Sequence, residues 1–212
     1  MSARQLAAVV ALLVAGIALA TAYRLGERAA AVRVQSPGPV DIGFAQFMRS
    51  HHDQAVVMTQ IMLARGNTQL TGLLRAIQTA QLIEIGEMKG WLLLWQRPLL
   101  PATTSMDWML LGKTAPDAAL SRYLSDCRAS PGGMPGLASA AQLDELRRLD
   151  GAARDRLFLQ LMIRHHQGGL PMAHFAARNA ETVAVRTLAA DIEAHQAQEL
   201  AWMTLLTQRL SH

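Results

Sequence analysis

Two doubled histidines carry the chemistry this sequence offers. Met48-x-x-His51-His52 with Met58 recurs as Met162-x-x-His165-His166 with Met172, a shift of 114 residues. A second pattern follows each: Gln81-x-x-Glu84-x-x-x-Met88 returns as Gln196-x-x-Glu199-x-x-x-Met203, shifted by 115. Imidazole with thioether is a soft donor set suited to copper, and the thioethers favour the reduced ion, Cu(I), over Cu(II). Zinc is the alternative ion. Calcium or magnesium would ask for more oxygen donors than two glutamates and two amides supply. The expected metal ligands are therefore His51, His52, His165, His166, Met48, Met58, Met162, Met172, Glu84, Glu199, Met88 and Met203. The methionines also suit a core, because a thioether adapts to irregular gaps, and Met62 is read as core filler only.

The spacing of these residues dictates the elements beneath them. Phe44, Met48, His51, Ala55, Met58 and Met62 advance by 4, 3, 4, 3, 4, as do Phe158, Met162, His165, Gly169, Met172 and Ala176. That 3.5-residue period is the buried stripe of a helix packed on another helix. Ile77, Gln81, Glu84, Met88, Trp91 and Trp95, with their copies Ile192, Gln196, Glu199, Met203, Leu206 and Leu210, form a second stripe with the same spacing. Gly66-Asn67-Thr68 and Asn179-Ala180-Glu181-Thr182 supply the stop and cap residues between the two stripes of each copy. Each copy is thus an antiparallel helix hairpin, and two hairpins make a four-helix bundle with one long crossover. Counted from the turns, His51 shares a level with Glu84, and His165 lies within reach of Glu199. His52 and His166, rotated by 100°, face a neighbouring helix or a cleft.

The expected division is an export segment over residues 1–23, a linker over 24–40 and the bundle over 41–212. Within the bundle, repeat 1 covers 41–95, the crossover 96–150 and repeat 2 151–210. Leu6 to Tyr23 is an apolar run without a charge, between Arg4 and Arg24. It suits a signal peptide or a signal anchor, and an uncleaved membrane anchor is favoured. Either places the remainder outside the cytoplasm, membrane-anchored or secreted. Five of the eight prolines fall between residues 98 and 135, which marks the crossover as largely irregular. Short helices are expected near Asp117–Cys127 and after Ser139, where Ser139 and Gln142 fit a capping box.

Composition narrows the function. The chain is 51% hydrophobic and 17% charged, so it buries a core rather than staying disordered. The lone Cys127 supplies neither a disulfide nor paired thiolates. The net charge of +4 is spread without basic runs or interleaved aromatics, which excludes nucleic acid as a partner. No Glu-x-x-His pair accompanies the glutamates, since Glu87 and Trp202 stand three residues after Glu84 and Glu199, and this argues against a di-iron enzyme. No catalytic residues are expected. His174 and His195 replace Gln60 and Ala80 of the first copy and read as solvent-side. Pro171 should kink its helix near Gln167. Met106, Met109 and Met134 read as packing within a loose loop, with delivery or cover of a soft metal as the other reading. A second reading stands beside metal binding: a tethered helical scaffold whose His–Glu layer only fixes helix register, with an unidentified protein partner. A metal-dependent oxidase is a third.

The stretches Phe47-Met48-Arg49-Ser50-His51-His52, Gln81-x-x-Glu84-Ile85-x-x-Met88-x-x-Trp91-Leu92 and Asp155-Arg156-Leu157-Phe158-Leu159-x-x-Met162-Ile163-Arg164-His165-His166-Gln167-Gly168, with Gln196-x-x-Glu199, resemble the domain-of-unknown-function family numbered 305 (DUF305). The resemblance runs from about Asp41 to Leu210. It implies a ferritin-like four-helix bundle, secreted or membrane-tethered, with several members associated with copper binding or resistance. The family's paired histidines fall on His51, His52, His165 and His166. Its methionines fall on Met48, Met58, Met162 and Met172, and its Gln-x-x-Glu-x-x-x-Met on Gln81, Glu84, Met88, Gln196, Glu199 and Met203. Ser50, Gly169 and Pro171 depart from the family's usual residues. The family has no assigned reaction.

Overall fold

The computed structural model describes residues 3–210; His212, read from sequence as a bare terminal residue, and the outer limits of the first and last expected segments lie outside the described residues. The chain divides into two compact units, 1–36 and 37–212. The first is a single helix, α1 (Ala3–Gln35), whose Val10–Glu27 stretch has a mean hydropathy of 1.5 and no buried residue. It is long and apolar enough to cross a membrane. The helix runs on through much of the expected linker, because the stretch after Tyr23 is rich in Ala and Arg, both strong helix formers. Within the expected linker, irregular backbone is confined to Ser36–Gly38.

The second unit is all helical among the described residues. Four long helices, α2 (Pro39–Arg65), α3 (Thr71–Leu94), α6 (Gly151–Asn179) and α7 (Val183–Arg209), form two hairpins, α2–α3 and α6–α7, that meet along α2 and α6. Gly66, at φ 68°, takes the left-handed conformation that ends α2, a position that favours glycine. Thr182 caps α7 by accepting from the Val185 amide. The inward stripes of α2 and α6 are fully buried along their length. Those of α3 and α7 emerge toward their C-terminal ends, where Trp91, Trp95, Leu206 and Leu210 are only half-buried.

Two matching clasps lock the hairpins end to end. The buried Asp41 carboxylate at the start of α2 accepts from the Glu181 and Thr182 amides at 3.0 and 2.9 Å and from the Thr182 hydroxyl at 2.7 Å, across the α6–α7 turn. Asp155, 114 residues later, accepts from the Thr68 hydroxyl at 2.6 Å and the Gln69 amide at 3.1 Å in the α2–α3 turn. Thr68 therefore serves the clasp and accepts from the Leu70 amide, while Leu70 occupies the cap position of α3. Each end of α2 thus lies beside the opposite end of α6, so the two are antiparallel.

The crossover is ordered rather than loose. It carries α4 (Ala118–Ala129), capped by Asp117, and α5 (Ala140–Arg148), opened by the Ser139–Gln142 capping box. Met106, Met109 and Met134, expected in a loose loop, are all buried in the core. A short 3-10 turn at Asp107–Leu110 sets Trp108 onto Gly43, where a Cβ would collide with the indole, and between Phe47 and Phe175. Cys127 is buried, and burial pushes its thiol up to about 11, so it is not a thiolate at neutral pH. Helix α6 runs unbroken through Pro171 to Asn179.

Candidate metal centre

The four histidines are completely buried in one layer at the α2–α6 seam. His51 and His165 face each other across it with ring centroids 3.7 Å apart, tilted by 32°. His165 Nε2 donates to the His51 carbonyl at 2.9 Å. His52 and His166 turn the other way, each toward its own hairpin partner: His52 Nε2 lies 2.6 Å from Glu84 Oε2, and His166 Nε2 lies 2.6 Å from Glu199 Oε2. The expected pairs His51–Glu84 and His165–Glu199 are therefore replaced by His52–Glu84 and His166–Glu199. The level along the helix was right and the rotation was not. In α2 and α6 the first histidine of each pair looks across the seam, and the second, 100° round, looks at the hairpin partner.

These contacts fix what each ring presents. A carbonyl or carboxylate accepts, so Nε2 of His52, His165 and His166 carries the hydrogen, and in the neutral imidazole Nδ1 keeps its lone pair. All three Nδ1 atoms, and both nitrogens of His51, are buried without a hydrogen-bond partner. So are Gln81 Oε1 and both amide atoms of Gln196. Eight of the eleven such atoms among the described residues belong to this layer. Buried polar atoms are ordinarily satisfied, so these call for a partner from outside the protein, a water or an ion. Burial first, and then the neighbouring imidazoles, lower the pKa of His51 and His165 well below 6.5, so both rings are neutral at pH 7. Neutral imidazole is the metal-binding form.

The six methionines fall into two apolar clusters. Met48, Met88 and Met172 lie in one apolar cluster with Phe44 and Leu92; Met162, Met203 and Met58, their counterparts in the repeat, lie in the other with Phe158 and Leu74. All six are fully buried. Glu84 and Glu199 are held by His52 and His166, which is the way a carboxylate orients a metal-binding imidazole from behind. Among the described residues, no three His, Cys, Asp or Glu side chains surround one point as a preformed cage.

The crossover covers the seam. Gly136 packs its backbone on the Arg164 carbonyl, and a Cβ on Gly168 would run into the Pro135 carbonyl. Gln54 grips Ala138 by both its amide and its carbonyl, at 2.6 and 2.9 Å. Tyr123 donates to the Gly168 carbonyl at 2.9 Å. On the inner side, Gly169 leaves His51 bare: a Cβ there would sit 3.0 Å from His51 Cε1 and 3.3 Å from Gln196 Oε1. Sequence reasoning passed over the clasps of Asp41 and Asp155, although the signal was present: Asp41 and Asp155, and Thr68 and Thr182, repeat at the same 114-residue shift as the histidines.

The sequence profile of the domain of unknown function DUF305 matches residues 41–207. No curated protein matches the chain. Among solved structures, a DUF305 protein of Streptomyces coelicolor, described provisionally as secreted, is 30% identical with a TM-score of 0.67, covering 84% of this chain and 95% of its own. A DUF305 fragment from Deinococcus radiodurans is 27% identical with a TM-score of 0.63, over 82% and 99%. CopM in its Cu(I)-bound form is 26% identical with a TM-score of 0.56, over 80% and 96%, and it is similar also in Cu(II)- and Ag-bound forms.

Proposed function

The chain belongs to the DUF305 family, and from that premise we propose that it is an extracytoplasmic protein that sequesters or passes on copper, with the buried imidazole layer as its binding centre. The carrying observation is the set of unpartnered ring nitrogens: Nδ1 of His52, His165 and His166 and both nitrogens of His51. In three of the four rings the opposite nitrogen is held by a carboxylate or carbonyl, the arrangement that fixes tautomer and aim in metal-binding histidines. The residues fit copper as cargo, since they combine imidazoles that have a free nitrogen with buried thioethers and no thiolate. His51, His52, His165 and His166 would supply the main ligands, the six methionines would favour Cu(I), and Glu84 and Glu199 would orient the rings. CopM, bound to Cu(I), Cu(II) and Ag, adds support from a similar fold. Helix α1 would serve as the membrane tether.

The reading is tested with a His51→Ala, His165→Ala double variant that keeps its helical circular dichroism. It should lose stoichiometric Cu(I) binding. Undiminished stoichiometry would overturn the assignment. One observation favours the register-setting alternative: His165 and the His51 carbonyl already form a direct α2–α6 bridge without any ion. Under that reading the same variant loses stability while wild-type protein shows no response to metal.

A further inference from the structure

The internal repeat provides its own comparison, because a feature of one copy alone stands out against the other. Departures gather at one end of the second hairpin. Gly169 and Pro171 replace Ala55 and Val57; His174 and Arg178 replace Gln60 and Ala64; on α7, Glu193 and Ala197 replace Gln78 and Leu82. In the fold, Pro171, His174, Arg178, Glu193 and Ala197 border a cavity of about 550 Å3 between the α6–α7 hairpin and the crossover at Thr114–Tyr123. Its lining is apolar at Leu170, Pro171, Phe175 and Ala197 and polar at His174, Arg178 and Glu193. Ala197 borders it where the first copy has the larger Leu82.

On the polar side, His174 Nδ1 lies 2.8 Å from Glu193 Oε1 and 2.7 Å from an Arg178 terminal nitrogen. One ring nitrogen serves only one of these at a time: with its hydrogen it donates to Glu193, without it it accepts from Arg178. The exposed Arg178 also donates to the His174 carbonyl at 3.3 Å and lies 4.0 Å from Glu193 Oε2, so an ion taken up here displaces Arg178 from the ring nitrogen and meets an imidazole beside a carboxylate. His174 stands eight residues from His166, about 12 Å along α6. Glu193 stands six from Glu199, about 9 Å along α7. The same hairpin thus carries one His–Glu bridge at the surface and one in the core.

The hairpin that borders the cavity on one face borders the histidine layer on another. Leu170 and Pro171 line the cavity, while the adjacent Gly169 faces His51. Ala197 lines the cavity, while the adjacent Gln196 faces inward with both amide atoms unpartnered. His51 is the imidazole with both nitrogens free of partners. Pro171 has no N–H for the Gln167 carbonyl, so a helix hydrogen bond is missing there. We propose that this cavity is the port through which copper reaches His51, with His174 and Glu193 as the capture pair at its mouth. The proposal rests on the reading of the imidazole layer as a metal centre.

The test separates rates from affinity. Cu(I) is presented on a chromogenic chelator to the full chain, its transfer is followed in stopped flow, and release is followed by excess chelator. Ala197→Leu restores the first copy's residue at an exposed position and fills the opening. A blocked port raises one barrier for both directions, so uptake and release should each slow by about tenfold or more while the equilibrium constant stays within about twofold. His174→Gln with Glu193→Gln, again the first copy's residues, should slow uptake severalfold. Leu82→Ala, in the first hairpin, should leave the rates as they are. Unchanged rates in Ala197→Leu, or a change in affinity without a change in rates, would overturn the port. Failure of the unmodified protein to take Cu(I) from the chelator would instead overturn the metal-centre reading.

Discussion

Glu84 and Glu199 show how much depends on a single hydrogen bond. Each carboxylate holds a fully buried imidazole at 2.6 Å. Glu84→Ala strands the His52 N–H, which should cost about 1–3 kcal/mol in urea denaturation. Freed rings also aim poorly, so Cu(I) affinity should fall by about 10–100-fold in chelator competition. A loss of stability with unchanged affinity would confine Glu84 to a structural role. His51 and His165 make a separate prediction about pH. Their folded-state pKa values lie well below the unfolded value of 6.5. Above pH 6.5 both states are neutral at these rings, and stability is at its full value. As pH falls below 6.5 the unfolded chain takes up protons that the folded rings refuse, so stability drops until the folded pKa is reached. Each ring contributes a slope of up to about 1.4 kcal/mol per pH unit. The urea midpoint should therefore fall between pH 7 and pH 5, and the fall should lessen in His51→Gln.

Helices and turns account for what sequence could and could not reveal. The stripes of α2 and α6 were legible because a 3.5-residue period has one physical meaning, and every member is buried. The hairpin stop at Gly66, the cap at Thr182 and the capping box at Ser139 were legible for the same local reason. The burial of His52 and His166 was not, because it depends on α2 and α6 each having neighbours on more than one face. Nor was the seating of Trp108 on Gly43, which joins residues 65 positions apart and leaves no periodic trace. The clasps belong to this scale as well. Asp41 accepts four hydrogen bonds, the fourth from the Gly38 amide at 2.9 Å, and is fully buried. Asp41→Asn turns an acceptor-only group into one that also donates, facing donors. It should destabilise the fold by about 2–3 kcal/mol, with metal stoichiometry unaffected because the clasp sits at the bundle end. Equal stability of variant and wild type in chemical denaturation would remove the clasp from the account.

At the scale of the molecule, a 33-residue helix with an apolar 18-residue stretch precedes a helical unit that carries the histidine layer. If α1 is a tether, the exported full chain should sediment with membranes and resist extraction by high salt, whereas cleavage after residue 36 should release the helical unit into the soluble fraction. Recovery of the intact chain in the soluble fraction would contradict the tether. The pseudo-twofold repeat also means that the centre draws on both hairpins, since His51 and His52 come from one and His165 and His166 from the other. The central claim is that this shared layer binds copper in the folded protein. Its most direct test is anaerobic titration with Cu(I) against a competing chelator, with stoichiometry and melting temperature read on the same samples. The account predicts saturable, stoichiometric binding and a melting temperature that rises with free Cu(I), since an ion bound only by the folded state stabilises it by about 2.7 kcal/mol at a hundred times Kd. No uptake against the chelator, with an unchanged melting temperature, would contradict it.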